Sequence, residues 1–186
     1  DSPYVVWFLP AMAMWQWLND SILNASSSIR NYSYLVKKVV FPVDVIPMIS
    51  IVASSFVALF LVAVATIVCI IFGYIPNVLQ LIYVLFATYC FIIAFTRFTS
   101  AVTTVVPDFA NLLGIAMQLF FWFTPVVWNL NMLNDHQTIL TLVKCTPFTY
   151  LVTTFREVFI NGNIITENNF LFTIVFWAIT IIMFIW

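Results

Sequence analysis

Few side chains in this sequence could do chemistry, and the first of them is an arginine set among apolar residues. Arg97 lies in Phe95-Thr96-Arg97-Phe98-Thr99-Ser100, near the end of a long apolar segment. A charge inside hydrocarbon is costly, so it marks a functional site unless the side chain snorkels to the headgroups. Asp108 follows on the same face if the helix continued, where it could pair with Arg97. Two uncharged polar stripes accompany this pair. Asn111, Gly114, Gln118, Phe121, Trp122 and Pro125 recur at three- to four-residue spacing, and Thr96, Thr99, Ser100 and Thr103 form a row of hydroxyls. Such stripes either hold helices together or line a path.

Most other chemistries are excluded. The glycines are Gly73, Gly114 and Gly162, and no G-x-x-x-x-G-K-[ST] loop is present to cradle a nucleotide. His136 stands alone, with no Cys, His or paired acid at ligand spacing, so no metal site is expected. Cys69, Cys90 and Cys145 are scattered and read as packing residues. No Ser-His-Asp or paired-carboxylate arrangement can be assembled. The apolar segments supply no convincing Asp, Glu or His for ion coupling, which argues against a gradient-driven transporter.

Aromatic residues make up 18% of the chain. Trp7, Trp15, Trp17, Trp122 and Trp128 exceed what an interfacial belt requires. Aromatic faces pack on the C–H faces of sugar rings without strongly directional bonds, which suits a polymer that must slide.

The elements that carry these residues follow from composition. Of the 186 residues, 64% are hydrophobic and 7% charged, and the mean hydropathy is +1.10. A soluble domain carries about 25% charged residues, so this is an integral membrane protein. Segments 3–23, 45–72, 77–104, 109–128 and 169–186 are apolar enough to be read as spans, the first bent at Pro10. Arg30, Lys37, Lys38 and Arg97 fall on one side of this alternation, Lys144 and Arg156 on the other. Positive-inside orientation therefore places segment 129–168 outside. Ser26-Ser27-Ser28 reads as the start of a short amphipathic helix within the cytoplasmic connection 24–42, with Ile29, Tyr32 and Val36 opposite the basic residues. Outside, Thr146 can cap a helix with Pro147 at its first position, ending at Asn161-Gly162. This helix and the apolar run 138–143 are too short to cross, and read as a re-entrant pair.

The order of these features resembles the membrane subunit of a type-2 ABC exporter of the polysaccharide export group. The resemblance rests on Asn24 to Phe41-Pro42 before a long span, Thr103-Thr104-Val105-Val106-Pro107-Asp108, Phe120 to Trp128, and Pro147-Phe148-Thr149-Tyr150-Leu151 with Phe155-Arg156. Where the family often has Arg-Asp in the hairpin, this chain has Pro107-Asp108, and Thr146-Pro147 replaces a frequent Asn-Pro. The resemblance implies an all-α polytopic membrane protein of the bacterial plasma membrane. It forms a single transmembrane domain over residues 1–186, with five spans visible of six. It further implies that an amphipathic helix and a first span precede this chain and that the last span is truncated. It implies a homodimer without cofactor, working with a separate ATPase subunit that binds the ATP. The expected contact with that subunit is Arg30, Tyr32, Tyr34, Lys37 and Lys38. The expected path is Asn111, Gln118, Phe121, Trp122, Phe123 and Trp128, gated by Tyr150 and Phe155 on the facing half-helix. Among relatives, wall teichoic acid permeases look most similar, so the expected cargo is a lipid-linked anionic glycopolymer. O-antigen or capsule, lipid and drug permeases are the alternatives, and a membrane-embedded glycosyl or acyl transferase is a remote one.

Overall fold

A computed structural model describes residues 3–33, 43, 45–133, 137–160 and 167–185, and these contain helices and turns but no strand. The α-helices are α1 (Tyr4–Asn31), α2 (Val45–Ile71), α3 (Val78–Val105), α4 (Phe109–Phe123), α5 (Gln137–Lys144), α6 (Pro147–Ile160) and α7 (Glu167–Ile185), with a 3-10 turn at Leu130–Leu133.

Helices α2 and α3 are long and apolar enough to cross a membrane. At 27 and 28 residues, each is about 40 Å long, against roughly 30 Å of hydrocarbon. Between them Gly73, at φ +86°, takes the left-handed conformation that ends α2, and Tyr74 donates its N–H back to the carbonyl of Cys69 at 2.9 Å. The Asn77 side chain then caps α3 by accepting from the Leu79 N–H at 3.2 Å.

Helix α4 is shorter than the span expected at 109–128. It stops at Phe123 because Pro125 pushes the preceding Thr124 into extended backbone, at φ −77° and ψ 135°. Fifteen residues amount to about 22 Å of helix, and the chain completes the distance as a turn through Trp128. The apolar part of α7, Phe170–Ile185, is likewise short.

Helix α1 runs without a break through Pro10 and through the serines expected to begin a new helix. Two of the three serines find another use: the Ser28 hydroxyl donates to the Ala25 carbonyl at 2.7 Å, and Ser26 meets Thr99 of α3 at 2.6 Å. The start of the expected amphipathic helix is thus the last turns of α1, and residues 34–42 lie outside the described residues.

The hydroxyl row on α3 belongs to packing. Thr96, Thr99, Ser100 and Thr103 are all buried, and Thr96 and Thr103 return their protons to carbonyls four residues back at 2.6 and 2.7 Å. Small side chains with satisfied hydroxyls let α1 and α3 approach closely. Helix α1 is the hub, packed on α2, α3, α4 and α6.

Helix α6 opens with Pro147 at its first position. Thr146 stands before it as foreseen, but its hydroxyl bonds the Val143 carbonyl and the Thr149 hydroxyl, both at 2.7 Å, rather than a backbone N–H. Phe148 packs its ring among those of Trp15, Phe91, Phe95 and Phe120, with centroids 5.1–6.0 Å apart. Since Phe91 is at the middle of α3, α6 begins at mid-helix depth. It ends beside Trp7, in the second turn of α1.

Candidate functional site

A groove of about 660 Å³ runs between α1 and α4. Asn24, Ser27 and Asn31 line it from α1, and Asn111, Gly114 and Gln118 from α4, each set at i, i+3, i+7. Two otherwise apolar helices thus turn uncharged hydrogen-bonding groups toward a common space. The space beside Gly114 is open, since a Cβ added there would meet nothing within 4 Å. At one end Arg30 donates from Nη1 to the Pro107 carbonyl at 3.2 Å, tying α1 to the α3–α4 turn.

The polar stripe of α1 continues beyond the groove lining. Asp20, one turn before Asn24, accepts from Gln16 Nε2 on both carboxylate oxygens at 3.0 and 2.9 Å, and from Asn19 at 3.4 Å. This acid lies within the apolar segment 3–23. Its signal was the Gln16–Asp20–Asn24 repeat, a polar residue every four positions in an apolar helix.

The aromatic set expected to form a gate is divided by the fold. Trp122 and Phe123 are 65% and 66% exposed, and Trp128 donates from Nε1 to the Trp122 carbonyl at 3.0 Å. Phe121 is half-buried against Trp15, with centroids 5.5 Å apart. Tyr150 and Phe155 lie in the core instead. Tyr150 stacks on Phe176 at 4.7 Å, and its hydroxyl lies 3.0 Å from that of Thr173. Phe155 is fully buried and meets Phe159 edge-on at 5.3 Å. These two rings therefore do not face Trp122 and Phe123 across an opening within one chain. The periodicity of α6 identified an apolar face, but not the neighbour that face would meet.

One residue of α6 has a role that spacing did not reveal. Arg156 is 7% exposed. It donates from Nε to the Trp7 carbonyl at 3.1 Å, and from Nη2 to the carbonyls of Pro125 and Val126 at 2.6 and 3.2 Å. Its guanidinium also lies 3.6 Å from the Trp7 ring centroid. Arg156 thus pins the short helix α6 to the start of α1 and to the turn after α4.

This geometry, a polar groove between apolar helices with a pinned half-helix behind it, coincides with a match to a known family. A family model described as ABC-2 type transporter covers residues 3–160. The chain belongs to the ABC-2 type transporter family. Two relatives are O-antigen export system permease proteins of Klebsiella pneumoniae. One is 21% identical over 164 residues, 87% of this chain and 62% of its own length. The other is 22% identical over 186 residues, 95% of this chain and 71% of its own length. The chain thus spans about three-fifths of the first relative.

In this ABC-2 family member, the residues expected to meet an ATPase are only partly described. Arg30 and Tyr32 are exposed at the end of α1; Tyr34, Lys37 and Lys38 lie outside the described residues. Arg97 does not meet Asp108 and instead lies over the ring of Phe184, 5.1 Å from its centroid.

Proposed function

We propose that the chain is the permease subunit of an ATP-driven exporter that moves a lipid-linked cell-surface polysaccharide across the cytoplasmic membrane. The α1/α4 groove, in a member of the ABC-2 type transporter family, carries this reading. The groove is open on one side, so a single copy cannot enclose a polymer. Two copies related by a two-fold axis, with α1 and α4 facing, would close it into a path. Asn111 and Gln118 supply hydrogen bonds without charge, which holds a sugar weakly enough to let it move on. Phe121, Trp122, Phe123 and Trp128 continue the path as ring surfaces toward the outer end. Tyr150 and Phe155 support it from behind as part of the packed core, and the rise of α6 from mid-helix depth supports the re-entrant reading of 129–168. Arg30 and Tyr32, with 34–42 beyond them, form the docking region for a separate ATPase subunit.

Two cargoes fit this reading. Resemblance to wall teichoic acid permeases points to a polyanionic glycopolymer. The names of the two relatives point to O-antigen. Expression in strains lacking either native permease distinguishes them by which surface polymer returns.

The purified protein is expected to hydrolyse no ATP above background, and to support hydrolysis and export only with its ATPase partner. Transporter-like turnover by the permease alone would overturn the reading, and glycosyl or acyl transfer without export would favour a membrane transferase.

A further inference from the structure

A second cavity, of about 830 Å³, lies away from the groove, across α3 between α2 and α7. Met48 and Ile51 form its wall on α2, Met183 and Phe184 its wall on α7, and Arg97 and Ala101 its floor on α3. Ligand pockets commonly measure about 300–1,000 Å³, so this one has the volume for a lipid-sized molecule. Among the described residues the lining contains no carboxylate. Arg97 is the single charge among those lining residues, exposed, with the Phe184 ring as its contact.

Depth decides what can enter. Arg97 is eight residues before the end of α3 at Val105, about 12 Å along the axis. Helix α3 exceeds the hydrocarbon thickness by roughly 10 Å, so with the helix centred the guanidinium is within a side-chain length of the headgroup layer. Arginine stays protonated, with five donors in a fork that matches phosphate. The occupant must therefore bring an anion to headgroup depth and place apolar matter on the Met48, Ile51 and Met183 side chains. A bare glycan fulfils the first condition at most, and a lipid-linked cargo would be drawn to the α1/α4 groove, which shares no lining residue with this cavity. An anionic phospholipid fulfils both.

We infer that this cavity binds an anionic phospholipid of the surrounding bilayer, its phosphate on Arg97 and an acyl chain between α2 and α7. The site is separate from the α1/α4 groove and does not depend on the cargo carried there.

The test uses the permease with its ATPase partner in nanodiscs of equimolar phosphatidylglycerol and phosphatidylcholine, with bound lipid read by native mass spectrometry. The wild-type protein is expected to retain phosphatidylglycerol preferentially. Arg97→Gln should reduce that preference about tenfold, as expected for one charge-assisted pair. Arg97→Lys should keep part of it, having the charge without the fork. Ala101→Phe, at an exposed position, fills the cavity with Arg97 intact and should also release the lipid. It decides the matter if Arg97→Gln does not fold. Equal retention of both lipids by the wild type, or unchanged selectivity in both Arg97→Gln and Ala101→Phe, would overturn the proposal. So would retention of a lipid-linked glycan in place of phosphatidylglycerol.

Discussion

Replacing Arg156 by Ala is expected to destabilise the folded protein by about 3 kcal/mol, since buried carbonyls that lose their donor cost roughly 1–3 kcal/mol each. The side chain holds three carbonyls, those of Trp7, Pro125 and Val126. None belongs to α6, so one truncation cuts α6 from Trp7 of α1 and leaves the carbonyls of Pro125 and Val126 without this donor. The carbonyls of Pro125 and Val126 are exposed to this loss because α4 has just ended and its following turn supplies few donors. The stacking of the guanidinium on Trp7 at 3.6 Å is lost as well. Arg156→Lys should recover less than half, since an ammonium cannot span the three acceptors. Thermal unfolding in detergent measures both variants. A shift for Arg156→Ala equivalent to less than about 1 kcal/mol, the size of a single neutral hydrogen bond, would show that α6 is anchored by its apolar face alone.

The second large effect is expected from Gly114→Trp, which should reduce export to background while leaving expression and melting temperature close to wild type. Nothing lies within 4 Å of a Cβ built at Gly114, and the indole would project into the groove of about 660 Å³ that Gly114 lines. Gly114→Ala is the control: it should stabilise α4 by up to about 1 kcal/mol through helix propensity and leave export intact. If Gly114→Trp exports normally, the space beside Gly114 is not on the path. If Gly114→Ala abolishes export and dimerisation together, the glycine serves close helix contact between copies instead.

The class of the fold was legible because membrane composition leaves little choice: long apolar runs in lipid must satisfy their backbone within helices. Turns with strong local chemistry were also legible, as at Gly73 and at Pro147. What failed were boundaries governed by tertiary partners. Ser26 and Ser28 look like caps, but Thr99 and the Ala25 carbonyl offer their hydroxyls partners inside a continuing helix. Helix α4 ended early because one proline outweighs several apolar residues that would otherwise extend it. At the site, the i, i+3, i+7 spacing of Asn111, Gly114 and Gln118 was readable alone. Its partner row on α1, with Asp20 beyond, was hidden because a sequence shows which residues share a face and not which face opposes it. The same limit explains Tyr150 and Phe155, whose aromatic character is equally suited to a gate and to a core. Arg156 was unreadable, since its acceptors are backbone carbonyls far along the chain.

Single cysteines at Asn111 and Gln118, in a background lacking Cys69, Cys90 and Cys145, test the groove as the path most directly. Leu112 and Leu119, 61% and 56% exposed on other faces of α4, serve as controls. In the assembled exporter, thiols at 111 and 118 are expected to react with a membrane-impermeant reagent and lose that reactivity when the polymer is engaged. They should also give symmetric cross-linked dimers, while 112 and 119 react only with lipid-soluble reagents. Labelling of 111 and 118 from the lipid alone, without dimers and without protection by polymer, would contradict the account.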